Sequence, residues 1–370
     1  MRPRPTTPVV LSLAFALAAA HAAPGAIIRR HDRDDAAYIE HARPFTTVVR
    51  VGGGTGTLVG DRWVLTAAHV ARGLDSPFTD ILLGDARLVP DAVAFHPTWT
   101  GEGSAESVDM ALIRLAEPVT DIEPSPLYEW EDEAGKGVTF VGFGMFGTGL
   151  TGPEGDDGLL RAASNTLIDA PVEGWVRFEF SRPPDATDLE GISGPGDSGG
   201  PAFIERQGVH YIAGVSSSND AGGSGPCTYG STEFYARVST SAQWLRETMD
   251  SGQAKALDRP ARESVARAGW PTTPAGAIAE AFFAAYSADR PMESFERSWR
   301  SAAALEARPA SERGGQWEEL RSQWGPLQPL EMAAFESGDL AVLCSTEGDR
   351  RSASCGSAAT RPSRTASRRS

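Results

Sequence analysis

Gly196-Asp197-Ser198-Gly199-Gly200-Pro201 sets a serine hydroxyl among glycines whose backbone N–H groups can come close to a reacting carbonyl. A serine hydroxyl is a weak nucleophile. It needs a fixed base to take its proton and preorganised donors to hold the oxyanion that forms. A base is available in Leu65-Thr66-Ala67-Ala68-His69, where a β-rich run ends in an imidazole and two alanines permit close packing. An acid is available in Asp109-Met110-Ala111-Leu112-Ile113-Arg114-Leu115, where a carboxylate directly before an apolar strand can be buried, orient the histidine and stabilise its charged form. Each motif alone has an ordinary alternative: a glycine turn, a histidine bonded to its neighbours, an aspartate that only opens a turn. Their combination points to acyl transfer.

Two chemistries share this vocabulary. Gly196-Asp197-Ser198-Gly199-Gly200 also fits G-x-S-x-G, the nucleophile elbow of the α/β-hydrolases, which would make a lipase or esterase. That fold needs its histidine after the serine. Only His210 follows, in the next β-run, and the alternation of helices and strands is missing.

The order and approximate spacing of His69, Asp109 and Ser198, with all three flanking motifs, resemble the trypsin and chymotrypsin family, in a secreted member of bacterial type. The resemblance runs from about Ile27 to Asp250. It takes in Gly56-Thr57-Leu58-Val59, Trp63-Val64-Leu65-Thr66, and Ser216 after the strand Tyr211 to Val215. It implies two Greek-key six-stranded β-barrels with a closing C-terminal helix, and a serine endopeptidase acting on protein or peptide substrates without cofactor or metal. By the same resemblance His69 takes the Ser198 proton, Asp109 orients His69, and the Gly196 and Ser198 amides form the oxyanion hole. His69 then protonates the departing amine, and water hydrolyses the acyl-enzyme. An HtrA-type relative would append a PDZ pattern, which is not found. A catalytically inactive homologue used as a binding module is the alternative from another class.

The chain departs from the family in three ways. Val70, and Gly194 or Pro195, stand where many relatives carry cysteine, so those disulfides are absent and Cys227 is expected to be a free thiol. Relatives often bury a new N-terminal amine against the acid before the nucleophile, here Asp197. Ile27 or Ile28 could supply it, although Arg29-Arg30-His31 follows in place of the usual glycines. The resemblance also puts Ile192, Ser216, Ser218 and Glu233 about the substrate pocket. Ile192 holds the floor position where relatives that cut after Arg or Lys carry aspartate, so an apolar side chain is expected before the cut. Glu233 is either an outward-facing loop residue or a substitute for the missing floor charge.

The elements that must hold these groups are short. From Thr47 to about Arg237, β-rich runs alternate with Gly, Pro and Asp turns, as in Thr57-Leu58-Val59, Gly60-Asp61-Arg62 and Trp63-Val64-Leu65-Thr66. This is an all-β signature. Further strands are expected at Ile81 to Leu83, Ala111 to Leu115, Val138 to Gly142, Trp175 to Phe180, Ala202 to Glu205, Tyr211 to Val215 and Phe234 to Val238. One helix, capped within Ser239-Thr240-Ser241 and presenting Trp244, Leu245 and Met249 on one face, closes the domain near Asp250. Residues 251–273 lack apolar periodicity and read as a linker. Residues 274–345 read as a small α+β module without a recognisable catalytic group, with helical spacing in Ile278, Phe282, Phe283 and Tyr286 and paired runs at Glu331 to Phe335 and Leu340 to Cys344. Residues 346–370 are Arg- and Ser-rich and should be disordered.

Export is expected from the first residues. Arg2 and Arg4 precede an apolar run from Val9 to Ala20 of about a dozen residues, against about 20 for a spanning helix, and Ala20-His21-Ala22 offers a cleavage site. Residues 1–22 thus read as a signal peptide, giving a secreted or periplasmic product that no longer engages the membrane. The net charge of −15 argues against nucleic-acid binding, which needs clustered Lys and Arg. Of three cysteines, Cys344 and Cys355 could form a bridge.

Overall fold

The computed structural model describes residues 27–101, 107–168, 174–222, 224–299, 305–306, 308–336 and 340–346. The expected signal segment lies outside the described residues, as do Cys355 and all of the expected C-terminal tail except Thr346, which ends a strand. The chain divides into two compact units, one over Ala22–Pro260 and one from Ala261 onward.

The first unit is built on two curled antiparallel sheets. One has the order Lys255–Ala256, Pro90–Phe95, Ala111–Leu115, Trp63–Thr66, Gly54–Gly60, Val48–Val51, Ile81–Leu83 and Ala86–Leu88. It holds eight strands where six were expected, and one edge strand comes from beyond the closing helix. The other has the order Arg161–Thr166, Gly137–Gly142, Pro201–Arg206, Val209–Asn219, Thr232–Arg237 and Trp175–Glu179. A smaller sheet takes the short strand Ile28–Arg29 between Phe146–Thr148, in parallel, and Gly191–Ile192, antiparallel. A two-residue strand has no periodicity, so nothing in the sequence announced it.

Alternating side chains bury one face of each sheet. Val49, Leu58, Val64, Ile81, Val93 and Ile113 fill the first, and Phe140, Phe178, Ile204, Ala213 and Tyr235 fill the second. Phe140 stacks on Phe178 with ring centroids 4.8 Å apart. Truncating either ring to alanine should cost about 3–5 kcal/mol. A third cluster joins the sheets: Trp63, Leu65 and Leu112 meet Val141, Phe203, Ile212 and Val215, with Val238 and Leu245 of the helix Val238–Ser251. That helix ends at Gly252, whose left-handed φ of 68° suits a residue without Cβ. It begins before the expected serine caps, because the Ser239 hydroxyl is drawn to Glu133 Oε1 at 2.6 Å, where Arg237 also binds.

The second unit contains the helices Pro274–Ser287, Met292–Trp299 and Ala310–Trp324 and a sheet ordered Arg262–Ser264, Leu327–Ala334, Leu340–Thr346. Ile278, Phe282, Phe283 and Tyr286 form the buried stripe of its first helix and pack with Phe295, Met332 and Val342. Cys344 is buried and pairs with no described cysteine. The stretch expected to be a linker holds the strands Lys255–Ala256 and Arg262–Ser264 and the helical turn Val265–Ala268. Strands this short take their order from the neighbour they bond to, which apolar periodicity does not report.

Candidate active site

The hairpin through Gly60-Asp61-Arg62 pairs Gly56 with Thr66, and the next ladder pairs Thr66 with Ala111. His69 follows Thr66 by three residues and Asp109 precedes Ala111 by two, so this register alone brings base and acid together. His69 sits on the helical turn Ala68–Ala71, and the buried Ala67 and Ala68 leave room for its close approach. Its backbone N–H donates to Asp109 Oδ1 at 2.9 Å and its Nδ1 meets Asp109 Oδ2 at 2.6 Å. Two bonds from one residue to both carboxylate oxygens fix the ring's rotation, and they direct Nε2 away from the acid.

Asp109 is 3% exposed. Its burial opposes ionisation, but hydrogen bonds from His69 and from Ser217 Oγ, the latter at 2.7 Å on Oδ2, outweigh it and hold the pKa below the usual carboxylate value. Ser217 was not foreseen. It is the middle of three serines, and a bulge between Ser216 and Ser218 resets which of them faces Asp109.

Ser198 lies on a tight turn pinned from both sides. Its carbonyl accepts Thr55 N–H at 2.8 Å, and Gly199 N–H reaches Ser216 O at 2.8 Å. Thr66 Oγ1 donates to Thr55 O at 2.7 Å, so the serine turn and the His69 strand share one anchor. Gly199 has φ 82°, and a Cβ there would stand 2.1 Å from Thr66 Oγ1, so only glycine lets these segments meet. Gly196, at φ 97°, likewise has Gly144 Cα 2.9 Å from where a Cβ would be. Among the described residues, the Gly196 and Ser198 N–H groups donate to no protein acceptor, and the Ser198 hydroxyl makes no hydrogen bond. Two free donors flanking a hydroxyl are what an incoming carbonyl requires.

Asp197, 1% exposed, is held entirely by backbone N–H groups: Gly144 on Oδ1 at 2.6 Å, and Gly194 at 2.8 Å and Ile27 at 3.2 Å on Oδ2. Burial pushes its pKa up to about 6, against these hydrogen bonds and the Arg161 charge. Ile27 is itself buried and has φ 68°, a left-handed value that a β-branched residue resists.

The pocket candidates divide. Ile192 is fully buried, pairs in register with Ile28 and belongs to the core around Tyr235 and Cys227. Ser218 is exposed. Ser216 and Glu233 are joined, Ser216 Oγ donating to Glu233 Oε1 at 3.1 Å. Glu233 is 1% exposed and its Oε2 has no hydrogen-bond partner, which corrects the outward-facing reading. Burial raises its pKa well above the ordinary value, and the Asp197 charge adds to this, while Ser216, Ser193 and Asn219 oppose it. Asn219 pairs with Glu233 in register and donates to Cys227 Sγ at 3.5 Å. The Cys227 thiol is free, and burial with the Glu233 charge pushes its pKa up to about 11. No group of three or more metal-ligating side chains occurs among the described residues. A cavity of about 480 Å³ lined by Ile39, Phe45, Leu83, Phe143 and Leu160 contains none of the residues of this site.

A trypsin family model matches residues 34–245, more than half of the chain. The chain belongs to the trypsin family. It is 29% identical over 235 residues to the pig (Sus scrofa) complement C1s subcomponent, covering 55% of this chain and 33% of that one. It is 31% identical to rat (Rattus norvegicus) transmembrane protease serine 9, over 53% of this chain and 19% of that one. It is 27% identical to chymotrypsin-like elastase family member 1 of Macaca fascicularis, over 53% and 78%. The chain thus spans a third or less of the length of the first two. The solved structure of neuropsin, a serine protease expressed in the limbic system of mouse brain, aligns with 56% of this chain and 96% of its own at a TM-score of 0.46 and 22% identity. These relatives are animal proteins, and they lend the bacterial-type expectation no support. No helix among the described residues is long and apolar enough to cross a membrane.

Proposed function

We propose that the chain is an exported serine endopeptidase in which Ser198 is the nucleophile, His69 the general base and acid, and Asp109 the residue that orients His69 and stabilises its charged form. The observation that carries this reading is the bidentate hold of Asp109 on His69, one oxygen on the backbone N–H and one on Nδ1, beside a serine flanked by two unpaired amides. In the reaction, His69 Nε2 takes the Ser198 proton as Oγ attacks the scissile carbonyl, and the Gly196 and Ser198 N–H groups receive the oxyanion. The proton then passes to the departing amine, and water resolves the acyl-enzyme by the same route. No metal or cofactor takes part in these steps. The missing Ser198 to His69 hydrogen bond is the one feature that favours an inactive homologue, but such bonds commonly tighten only when substrate binds. Labelling with a serine-directed fluorophosphonate tests the choice: an adduct on Ser198 supports catalysis, and none in folded protein supports a binding module.

Two finer readings belong with this one. The active form begins at Ile27, because a free amine there would carry charge onto the buried Asp197 carboxylate and would no longer have a φ torsion to strain. The substrate side chain before the cut is basic, in place of the apolar one expected from Ile192. Glu233 presents a buried, unpaired carboxylate oxygen two contacts from Ser198, through Ser216 and Gly199, and a cation satisfies it where an apolar group leaves it unpaired. The substrates are proteins or peptides, and the unit from Ala261 onward acts as an accessory module.

A further inference from the structure

His69 rides on a helix of one turn. Ala68–Ala71 has no side-chain cap at its start, where Ala67 stands, and it runs directly into the 3-10 turn Arg72–Asp75. A helix this short has no stability of its own, since the cost of nucleation is not recovered by propagation. Its order must come from what grips it. Ala68, Ala71 and Leu74 are fully buried and anchor its inner side. The stretch through Thr79 is turned on itself by local bonds, Ser76 N–H to Gly73 O and Thr79 N–H to Ser76 O, both at 3.2 Å, with Thr79 Oγ1 also donating to Gly73 O.

One side chain from a distant segment ties this stretch down. Arg259 Nη1 donates to Leu74 O at 3.2 Å and to Ser76 O at 3.1 Å, and its Nη2 donates to Pro77 O at 2.9 Å and to Thr79 O at 2.7 Å. Four carbonyls of a six-residue stretch therefore converge on a single guanidinium. The planar fork of arginine suits this, and a lysine ammonium, with three donors on one atom, does not. The guanidinium is desolvated, and its surroundings include the charges of Asp80 and Arg87.

The position of Arg259 is itself fixed. After the closing helix, Arg114 Nη1 donates to Gly252 O at 3.1 Å, and Lys255 and Ala256 pair with Val93 and Ala92. Leu257 N–H then donates to Asp91 O at 2.9 Å, and the Leu257 side chain packs on the first-sheet core. Residues 252–259 form a strap along the edge of the sheet that carries both His69 and Asp109, and the strap ends at the clamp.

We propose that Arg259 is a positioning residue for catalysis: by gathering the carbonyls of Leu74, Ser76, Pro77 and Thr79 it sets the loop behind the His69 turn and thereby the placement of the imidazole between Asp109 and Ser198. The inference rests on the assignment of His69 as the base. It makes the strap part of the catalytic unit and not of a linker.

The test uses the full-length chain with Arg259→Lys, Arg259→Met and Arg259→Ala. A short chromogenic peptide gives kcat and KM separately, with active sites counted by titration with an acylating ester so that unfolded protein does not enter the rate. The expected result is a fall in kcat per titrated site of about tenfold or more for Met and Ala, since a small displacement of a catalytic group is costly. KM should stay within about twofold, because uniform binding is untouched. The acidic limb of the pH–rate profile should shift, as the contact between His69 and Asp109 loosens. Arg259→Lys, which keeps charge and stem and is the variant that decides if the others do not fold, should recover only part of the rate. Unchanged kcat and an unchanged acidic limb in Arg259→Lys, whatever happens to Tm, would overturn the proposal. No turnover in the wild-type chain would instead overturn the protease reading beneath it.

Discussion

Ser217 Oγ donates to Asp109 Oδ2 at 2.7 Å, on the same oxygen that meets His69 Nδ1. The acid is thereby held from the helical turn Ala68–Ala71 and from the strand Val209–Asn219. Removing the hydroxyl leaves a buried carboxylate with one partner fewer and raises its pKa towards the ordinary value. Ser217→Ala should lower kcat several-fold with little change in KM. It should also bring forward acid unfolding. A group whose pKa is depressed in the folded state contributes stability above its unfolded pKa and loses it as pH falls through the folded one, and the mutant shrinks that contribution. Equal kcat and an equal acid midpoint for mutant and wild type would show that the bond is incidental.

His69→Ala, Ser198→Ala and Asp109→Asn should each reduce turnover by about 10⁴-fold or more, as triads of this kind lose nearly all function with any member. His69 and Ser198 contribute little to the core, so circular dichroism should not change. A mutant that is folded and turns over near the wild-type rate means that the triad is assigned wrongly.

Glu233 and the substrate should be coupled through pH. Its pKa is raised by burial, so the carboxyl is neutral in acid and ionises as pH rises through the raised value. The ratio of kcat/KM for peptides ending in Arg or Lys to those ending in Ala, Val, Leu or Phe should climb with pH and flatten in Glu233→Gln. By the same linkage the raised pKa costs folded-state stability in alkaline buffer, where Glu233→Gln should melt higher than wild type. A preference for apolar residues that is indifferent to pH and to the mutation restores the expectation from Ile192.

Processing should leave Ile27 as the first residue. With a free amine there, the pair with Asp197 becomes ionic, and the carboxyl, now at about 6, should titrate lower. N-terminal sequencing of active enzyme checks this directly, and activity in a chain that starts well upstream removes the idea. Asp197→Asn in the processed form should cut kcat/KM by about tenfold or more, because the turn that carries Gly196 and Ser198 loses the negative charge and one of the two oxygens that its backbone N–H donors bind.

A chain ending after Pro260 should fold and hydrolyse short peptides, since every proposed catalytic group and the Arg259 clamp precede that point. A chain ending after Asp250 should be both less stable and slower, having lost the strand Lys255–Ala256 and the clamp. Equal Tm and kcat for the two truncations would make the strap dispensable.

The sequence by itself carried what depends on neighbours in the chain. The run Trp63 to Thr66 and the apolar stretch Ala111 to Leu115 announce strands because β-branched and aromatic side chains pack on a pleated surface, and the serine turn announces itself because only glycine can bring backbone amides so close. His69, Asp109 and Ser198 stood out as candidates for that reason. The tertiary structure alone decided the rest. A bulge chose Ser217 over its two neighbours for Asp109, the fold buried Glu233 where an outward-facing loop residue was one expectation, and Ile27 met Asp197 across 170 residues. Arg259 belongs with these, since a polar stretch without periodicity gives no sign that four distant carbonyls await one guanidinium. Local pattern fixes which face of an element turns inward, but burial, pairing and charge balance at one atom depend on what packs against it, and that is settled only when remote segments close on one another.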